Sequence, residues 1–340
     1  MTGVQTCALP IFVVTLMTRA NPSLAEATQA VPAGFLSPAL KLQAPPNPKP
    51  TPREDGDEVV EHDVERPKGR LLLYWGCGAT VRAGQPKVLD MASASTADIA
   101  KFFVSRRATQ RGAHSASGRP VWPSQADARM VPEQASLVGE HAFSGNGVPE
   151  DFRFRIAAVQ DLMPPLQLQQ TDQGGATELR WGALPTARAY FVAGMGAAKQ
   201  DEMVIWTSSE LPDTGFGLID YQPNAAVDRW LKEKVLLPAS STQCTVPKGV
   251  FPGEGAMLRA IAYGSELNLA HPPRPADPKA TWEPVWAAKL RVKSVTSLML
   301  GMPAMGQMPQ AGSESEPAPK QEAEEKKIKP LDVLKGILGR

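Results

Sequence analysis

The chain has few of the residues that carry most enzyme and metal chemistry. Its 340 residues include three cysteines and four histidines. The histidines are widely separated, and none belongs to an H-E-x-x-H zinc motif. A C-x-x-C pair, a G-x-S-x-G nucleophile motif and a glycine-rich phosphate loop are also missing. No catalytic class is indicated, so we expect a protein that is not an enzyme and that holds no cofactor.

An excess of charge of one sign and long apolar runs are lacking as well. The 36 Lys and Arg residues balance 35 Asp and Glu residues, which leaves a formal net charge of +1. Such a balance creates no field that attracts a phosphate backbone or an anionic membrane, so we expect no nucleic-acid partner. No apolar run reaches the roughly 18 residues that a spanning helix needs, so we expect no transmembrane helix.

The first residues have an unusual composition. Residues 2–11, TGVQTCALPI, resemble the codon-for-codon translation of a common sequencing adapter. We therefore treat them, Cys7 included, as read-through outside the fold, and we expect the natural N-terminus to be missing. The next stretch, FVVTLM at residues 12–17, is either the remnant of a signal-peptide apolar region or a disordered fragment, because Arg19 interrupts it.

Proline and charge dominate both ends of the chain. Residues 44–52 read APPNPKPTP and are followed by an acidic run. Such segments favour extended polyproline II and bury too little apolar area to fold. We therefore predict that residues 1–67 are an adapter remnant and a disordered Pro-rich linker. Residues 296–340 are predicted to form a Met-rich linker, a charged tail and a short C-terminal helix.

A first domain, β-rich with one short helix, is predicted for residues 68–165. Its run LLLYW at 71–75 is apolar throughout, which is typical of a central strand covered on both faces. The prolines at 164–165 cannot donate to a strand ladder, so we place the domain boundary there. The helix and two further strands are predicted at residues 96–104, 136–143 and 152–158.

A second domain is predicted for residues 166–295. Residues 177–209 contain three runs that alternate with the period of two that strands require, and in the first run Leu179 and Trp181 share one side. A helix is predicted at residues 224–236. The two domains together predict a mostly β fold with two β-sandwich-like domains flanked by disordered tails.

Three motifs of the second domain form a recognisable set. They are LRW at 179–181, AYFV at 189–192 and MLRAIAYG at 257–264. They resemble the second strand with its core tryptophan, the third strand, and the glycine-terminated sixth strand of a fibronectin type III sandwich. The chain departs from that family after the fourth strand, where residues 210–238 with the predicted helix replace a short connection.

Three short stretches, WGCG at 75–78, WTSSE at 206–210 and VPKGVF at 246–251, give the whole chain a resemblance to an uncharacterised family of bacterial envelope proteins. The resemblance implies a periplasmic or secreted protein and carries no activity. We expect a non-catalytic binding or structural module of the cell envelope. Its partner is expected to be an envelope protein or a glycan that meets exposed aromatics, Trp122 or Trp206.

With Cys7 set aside, Cys77 and Cys244 remain as an even pair. In an oxidising compartment such a pair favours a disulfide, which would clamp the two predicted domains together. Spacing alone leaves the pairing open. In the alternative, Cys77 is a nucleophile with His141 as its base, and the protein is a Cys-dependent enzyme.

Four methionines recur at every third residue near the end of the globular part. They are Met299, Met302, Met305 and Met308. Thioether sulfur is a soft, uncharged ligand that suits Cu(I), and the intervening Gly and Pro residues would let the chain wrap around one ion. The alternative is a low-complexity linker in which methionine is only a tolerated apolar residue.

Overall fold

The computed structural model describes residues 14–36, 38–45, 69–107, 117–132, 134–199, 201–253, 255–277 and 279–300. The adapter-like residues and the predicted C-terminal helix lie outside these ranges. Within them the chain forms sixteen strands and two α-helices, so the fold is mostly β, as predicted.

The strands in chain order are β1 (Val14–Thr15), β2 (Glu26–Ala30), β3 (Ala39–Gln43), β4 (Arg70–Trp75), β5 (Lys87–Asp90), β6 (Val121–Trp122), β7 (Gly139–Ser144), β8 (Arg153–Ile156), β9 (Gln169–Gln173), β10 (Ala176–Arg180), β11 (Ala189–Lys199), β12 (Glu202–Thr207), β13 (Leu237–Pro238), β14 (Gln243–Val246), β15 (Met257–His271) and β16 (Trp286–Met299). The helices are α1 (Thr96–Phe102) and α2 (Asn224–Lys232), and a 3₁₀ turn covers Ala158–Gln160.

The first sheet contains β1, β6, β3, β2, β7 and β8 in that order, all antiparallel. Its central strands, β2 and β3, fall in the segment predicted to be a disordered linker, so that prediction is wrong for residues 14–45. Ala27 and Gln29 on β2, and Leu40 and Leu42 on β3, are buried and alternate with more exposed neighbours. Both runs are short and lie among prolines and small residues, which conceal the alternation.

The second sheet contains β16, β15, β11, β12, β4 and β5 in that order, and β13 pairs with the start of β11. Its pairs are antiparallel except that β12 and β4 run parallel. Leu71 packs in a cluster on one face of the sheet, Leu72 packs against the sandwich-side core on the other, and Leu73 is buried. β4 is therefore covered on both sides, as predicted. The boundary predicted at residues 164–165 is wrong, because residues 69–107 complete the sheet of the second domain.

A third, antiparallel sheet of β14, β10 and β9 shares a core with the second sheet. Leu179 and Trp181 contribute to this core from the side of the smaller sheet, and Tyr190 and Leu258 contribute from the larger one. This packing is the two-sheet arrangement that the alternating runs of the second domain predict. We call this pair of sheets the sandwich.

The β15–β16 hairpin contributes to two of the hydrophobic cores, that of the sandwich and that of the first sheet. A bulge between Tyr263 and Glu266 divides it into two parts. Leu258 lies in the sandwich core, whereas Leu269 and Trp286, beyond the bulge, pack against the core of the first sheet. The first sheet and the sandwich are therefore held together by one continuous pair of strands.

The helices predicted at residues 96–104 and 224–236 both form. α2 lies within the predicted range 224–236 and buries Val227 and Trp230 against the outer face of the second sheet. It ends earlier than predicted, and Lys234 follows it in the left-handed region with a φ of 59°. The first turn of α1 is capped by Ser95, whose hydroxyl accepts a hydrogen bond from the Asp98 N–H at 3.2 Å.

Candidate functional site

A pocket with a volume of about 290 Å³ lies on the outer face of the second sheet, opposite the three-stranded sheet. Strands β11, β12 and β15 form its floor, and side chains from residues 103–107 and 214–220 form its walls. The apolar side chains that line it are Phe103, Met195, Ile205, Phe216, Ile219 and Met257. We call it the sheet pocket. Its volume is close to the lower end of small-molecule sites, about 300 Å³, so it can take a small ligand or a few side chains of a partner.

One wall of the sheet pocket is the loop after β12, which an ionic network holds in place. Asp213 accepts hydrogen bonds from the Arg106 guanidinium and, at 2.8 Å, from the Gly215 N–H. Arg106 also donates to Glu233 at 2.9 Å, and the Thr207 hydroxyl donates to the Asp213 carbonyl at 2.8 Å. The Asp213 side chain is only 4% exposed, so loss of Arg106 would leave its buried carboxylate without a cationic partner. The wall is therefore fixed to β12 and to the end of α2.

Two glycines in this wall set the position of Phe216. Gly215 has a φ of 70°, and a Cβ at this position would lie 2.3 Å from the Phe191 ring. Gly217 has a φ of 88°, and a Cβ there would lie 2.4 Å from Arg107 Cγ. The Arg107 guanidinium stacks over the Phe216 ring at 4.8 Å. The loop therefore needs glycine on both sides of the phenylalanine.

Polar groups of the sheet pocket lie at its walls and mouth. Arg107, Asp220 and Arg259 supply the charges, and Arg259 is half-buried and forms no ion pair within the described ranges. The Thr214 hydroxyl is buried and has no hydrogen-bond partner among the described residues. Next to the pocket, burial lowers the pKa of Lys293, with Asp220 opposing this shift and Arg259 adding to it. The arrangement suits a ligand with an apolar body and an anionic group.

Cys77, which lies between Gly76 and Gly78, is in the turn after β4, on the sandwich. Its sulfur is bonded to Cys244 on β14, with the two Cα atoms 5.1 Å apart. The Gly76 N–H donates to the Thr207 carbonyl at 2.9 Å, and the Gly78 N–H donates to the Thr245 carbonyl at 2.9 Å. The turn is therefore tied to both sheets of the sandwich at once.

Arg82 covers this turn. It donates two hydrogen bonds to the Glu210 carboxylate and one, at 3.1 Å, to the Cys77 carbonyl. The hydrogen bonds from Arg82 lower the pKa of Glu210. Gly76, with a φ of 88°, leaves room for the guanidinium, because a Cβ there would lie 2.7 Å from Arg82 Cζ. Arg82 therefore links the WGCG stretch, through the Cys77 carbonyl, to the WTSSE stretch, through Glu210.

The proposed nucleophile and base are not brought together. Cys77 packs against the sandwich core with its sulfur in the disulfide, whereas His141 is buried in the first sheet. The His141 Nε2 is 2.8 Å from the Leu137 carbonyl, and its Nδ1 is 3.0 Å from the Gln29 side-chain nitrogen. Burial lowers the pKa of His141. Both residues therefore have structural partners, and the hypothesis of a Cys77–His141 pair is wrong.

The two tryptophans predicted to meet a partner are buried. Trp122 is 1% exposed in the core of the first sheet, and Trp206 is 0% exposed in the sandwich core. The Trp206 indole donates to the Gly76 carbonyl at 3.1 Å. The prediction of exposed aromatics was wrong because the large apolar area of an indole stabilises the fold when it is removed from water.

Metal ligands of the usual kinds are not clustered in the described part of the chain. No group of three or more His, Cys, Asp or Glu residues there could hold an ion. Of the four methionines predicted to bind Cu(I), Met299 ends β16 and is 38% exposed. The other three, Met302, Met305 and Met308, lie outside the described residues.

In comparisons with protein-family models, curated proteins and solved structures, the chain matches none. In the ranges that the structure covers, neither helix has the length and apolar character needed to cross a bilayer.

Proposed function

We propose that the protein is a non-catalytic binding module of the bacterial cell envelope, and that it contacts a partner protein through the sheet pocket. The observation that carries this proposal is the pocket itself. Its interior is apolar, its wall is fixed by the Arg106–Asp213 pair, and Arg259 at its edge lacks an ion-pair partner among the described residues. A preformed apolar pocket with a few polar groups is the usual form of a binding site.

The disulfide supports a periplasmic or secreted location. Disulfides form and persist in oxidising compartments and are rare in reducing ones. Cys77 and Cys244 lie 167 positions apart in the chain, and their bond joins two sheets of the sandwich. Such a bond is useful to a protein that has to remain folded outside the cytoplasm.

The composition of the pocket favours a protein partner over a glycan. Trp122 and Trp206, the rings considered for stacking on a sugar, are buried. The sheet pocket instead offers Phe216, Met257 and Arg259, and aromatic residues, Met and Arg are the types enriched at protein interfaces. We therefore expect an acidic, apolar segment of an envelope protein to occupy the pocket.

A fibronectin type III-like character of residues 166–300 is part of this proposal. The motifs that resemble the second, third and sixth strands of that family fall on β10, β11 and β15. Counted from β9, and without the short β13, these are also the second, third and sixth strands of residues 166–300. This order supports the resemblance. Two departures are the continuation of β15 past Gly264 and the extra strands β4 and β5 at one edge. An experimental structure with another strand order would contradict it.

Site-specific photocrosslinking tests the proposed function. A photoreactive residue at Ile219, in the pocket wall, should form an adduct with an envelope protein in intact cells. The same residue at Val159, which is 67% exposed and is not part of the pocket lining, is the matched control and should form none. Arg259→Glu should abolish the adduct at Ile219. Retention on purified cell-wall glycan without any protein adduct would contradict the proposed partner, and equal adducts at both positions would contradict the proposed site.

A further inference from the structure

Three methionines lie side by side on three adjacent strands of the second sheet. Met195 on β11 is opposite Met257 on β15, and Met257 is opposite Met299 on β16. Residues opposite each other in antiparallel strands share one face of the sheet, with Cβ atoms about 4.5–5.5 Å apart. We call these three residues the methionine row.

The methionine row is open to solvent at one end. Met257 and Met299 are 40% and 38% exposed, and Met195 and Met257 line the sheet pocket. A methionine side chain has three rotatable bonds before its terminal methyl and adapts its sulfur position readily. Met195 also packs against the Leu71–Leu89 cluster, so the sulfurs of Met257 and Met299 would have to turn towards it for the three to meet.

The chemistry of three thioethers selects a narrow class of ions. Thioether sulfur is soft and uncharged, so it suits Cu(I) and offers little to Ca²⁺ or Mg²⁺, which prefer oxygen. Asp220, another residue of the same pocket, can offset the positive charge of the ion, whereas Arg259, the next residue of β15 on this face, opposes it. The three sulfurs, and not the charges around them, would then determine which ion binds.

We propose that the methionine row is a Cu(I) site at the edge of the sheet pocket, with Met195, Met257 and Met299 as thioether ligands. This assignment moves the copper hypothesis from the segment after β16 onto the sheet itself, and the two hypotheses share only Met299. It does not depend on the protein partner proposed for the pocket. If the row provided only apolar packing, leucine could replace methionine without loss. Replacing methionine with leucine therefore separates copper binding from apolar packing.

A competition titration tests the proposal on the full chain. Cu(I) is held reduced with ascorbate under anaerobic conditions and shared with a coloured Cu(I) chelator. The parent protein should take up one ion, and the triple variant Met195→Leu, Met257→Leu, Met299→Leu should bind at least about tenfold more weakly. Unchanged affinity in this variant would overturn the proposal. Circular dichroism melting should show that the variant remains folded.

Two further variants show where the copper binds. Met302→Leu, Met305→Leu, Met308→Leu should leave the affinity within about twofold, because these residues lie outside the row. Met130→Leu, at a methionine that is 63% exposed and outside the row, should have no effect. Loss of binding in the first of these variants, with retention in the row variant, would refute the assignment.

Silver(I) provides a second readout that does not need a reducing agent. In a sample labelled at the methionine methyl carbons, one equivalent of Ag(I) should shift the signals of Met195, Met257 and Met299 and leave that of Met130 in place. Signal shifts of similar size at all exposed methionines would contradict a specific binding site at the methionine row.

Discussion

Cys77 is bonded to Cys244, so the turn that follows β4 is joined to β14 in the facing sheet of the sandwich. β4 also pairs in parallel with β12, with Leu72 opposite Val204. Residues 69–107 are thus part of the sandwich, although they come well before its other strands in the chain. The sheet pocket depends on this arrangement, because residues 103–107 follow directly from the same segment.

Removal of the disulfide should destabilise the protein without changing its fold. We predict that Cys77→Ser, Cys244→Ser lowers the free energy of unfolding by about 2–5 kcal/mol, mainly because the unfolded chain gains freedom. Urea unfolding of the parent with and without reductant checks this. The reduced parent should match the double variant, and identical stability of oxidised parent and variant would argue against the bond.

Residues 166–300 should not fold alone. Without residues 69–107, β12 becomes an open edge and the Trp206 indole loses its acceptor, the Gly76 carbonyl. We expect the isolated fragment to show poor proton NMR dispersion, whereas residues 14–300 should show that of a folded β protein. A well-dispersed spectrum from residues 166–300 would show that these residues fold without β4 and β5, and would contradict this prediction.

Trp181 should be among the most costly residues to truncate. It is 6% exposed and its ring lies 5.4 Å from that of Tyr190 between the sheets of the sandwich. We predict that Trp181→Ala lowers the free energy of unfolding by about 3–5 kcal/mol. Trp282→Ala, at a partly exposed site, is the control and should cost less than about 1 kcal/mol. Equal melting of the parent and Trp181→Ala would place Trp181 on the surface.

Asp127 should make the stability depend on pH. It accepts hydrogen bonds from Arg129 at 2.6 and 2.7 Å and from the Lys41 N–H at 3.1 Å. The hydrogen bonds from Arg129 are the main reason that the pKa of Asp127 is well below its ordinary value. A depressed carboxyl pKa stabilises the fold above the unfolded pKa, about 3.9, and this contribution is lost as the pH falls below it.

We therefore predict that Asp127→Asn costs about 2 kcal/mol at pH 7 and that its difference from the parent shrinks as the pH falls through about 4 towards 2. Urea unfolding at three pH values provides the measurement. A difference that stays constant over this range would show that the carboxylate charge is not what stabilises the contact.

The strands that alternate most clearly were the ones that the sequence predicted well. β10, β11, β12 and the first part of β15 lie where the aromatic and β-branched runs place them. The helix at 224–236 was recognisable because Val227 and Trp230 share one face at helical spacing. Periodicity reports the face that a residue occupies, and it does not report which strand lies beside it. The pairing of β4 with β12 was therefore missed although β4 itself was predicted.

The sheet pocket was not predicted because its walls come from segments without periodicity. Arg106 and Asp213, which bind each other, both lie in segments for which the sequence predicts neither a strand nor a helix. One available signal was Gly215-Phe216-Gly217, since glycines on both sides of a large aromatic mark a tight backbone that presents the ring. The methionine row was missed for another reason, because only the strand register places Met195 next to Met257.

Amide hydrogen exchange of the protein with its crosslinked partner tests most directly whether the sheet pocket is the contact surface. We expect slower exchange in residues 103–107 and 214–220 when the partner is bound, and no change around the 3₁₀ turn at Ala158–Gln160. Protection confined to the first sheet, with the pocket walls exchanging as fast as in the free protein, would contradict it.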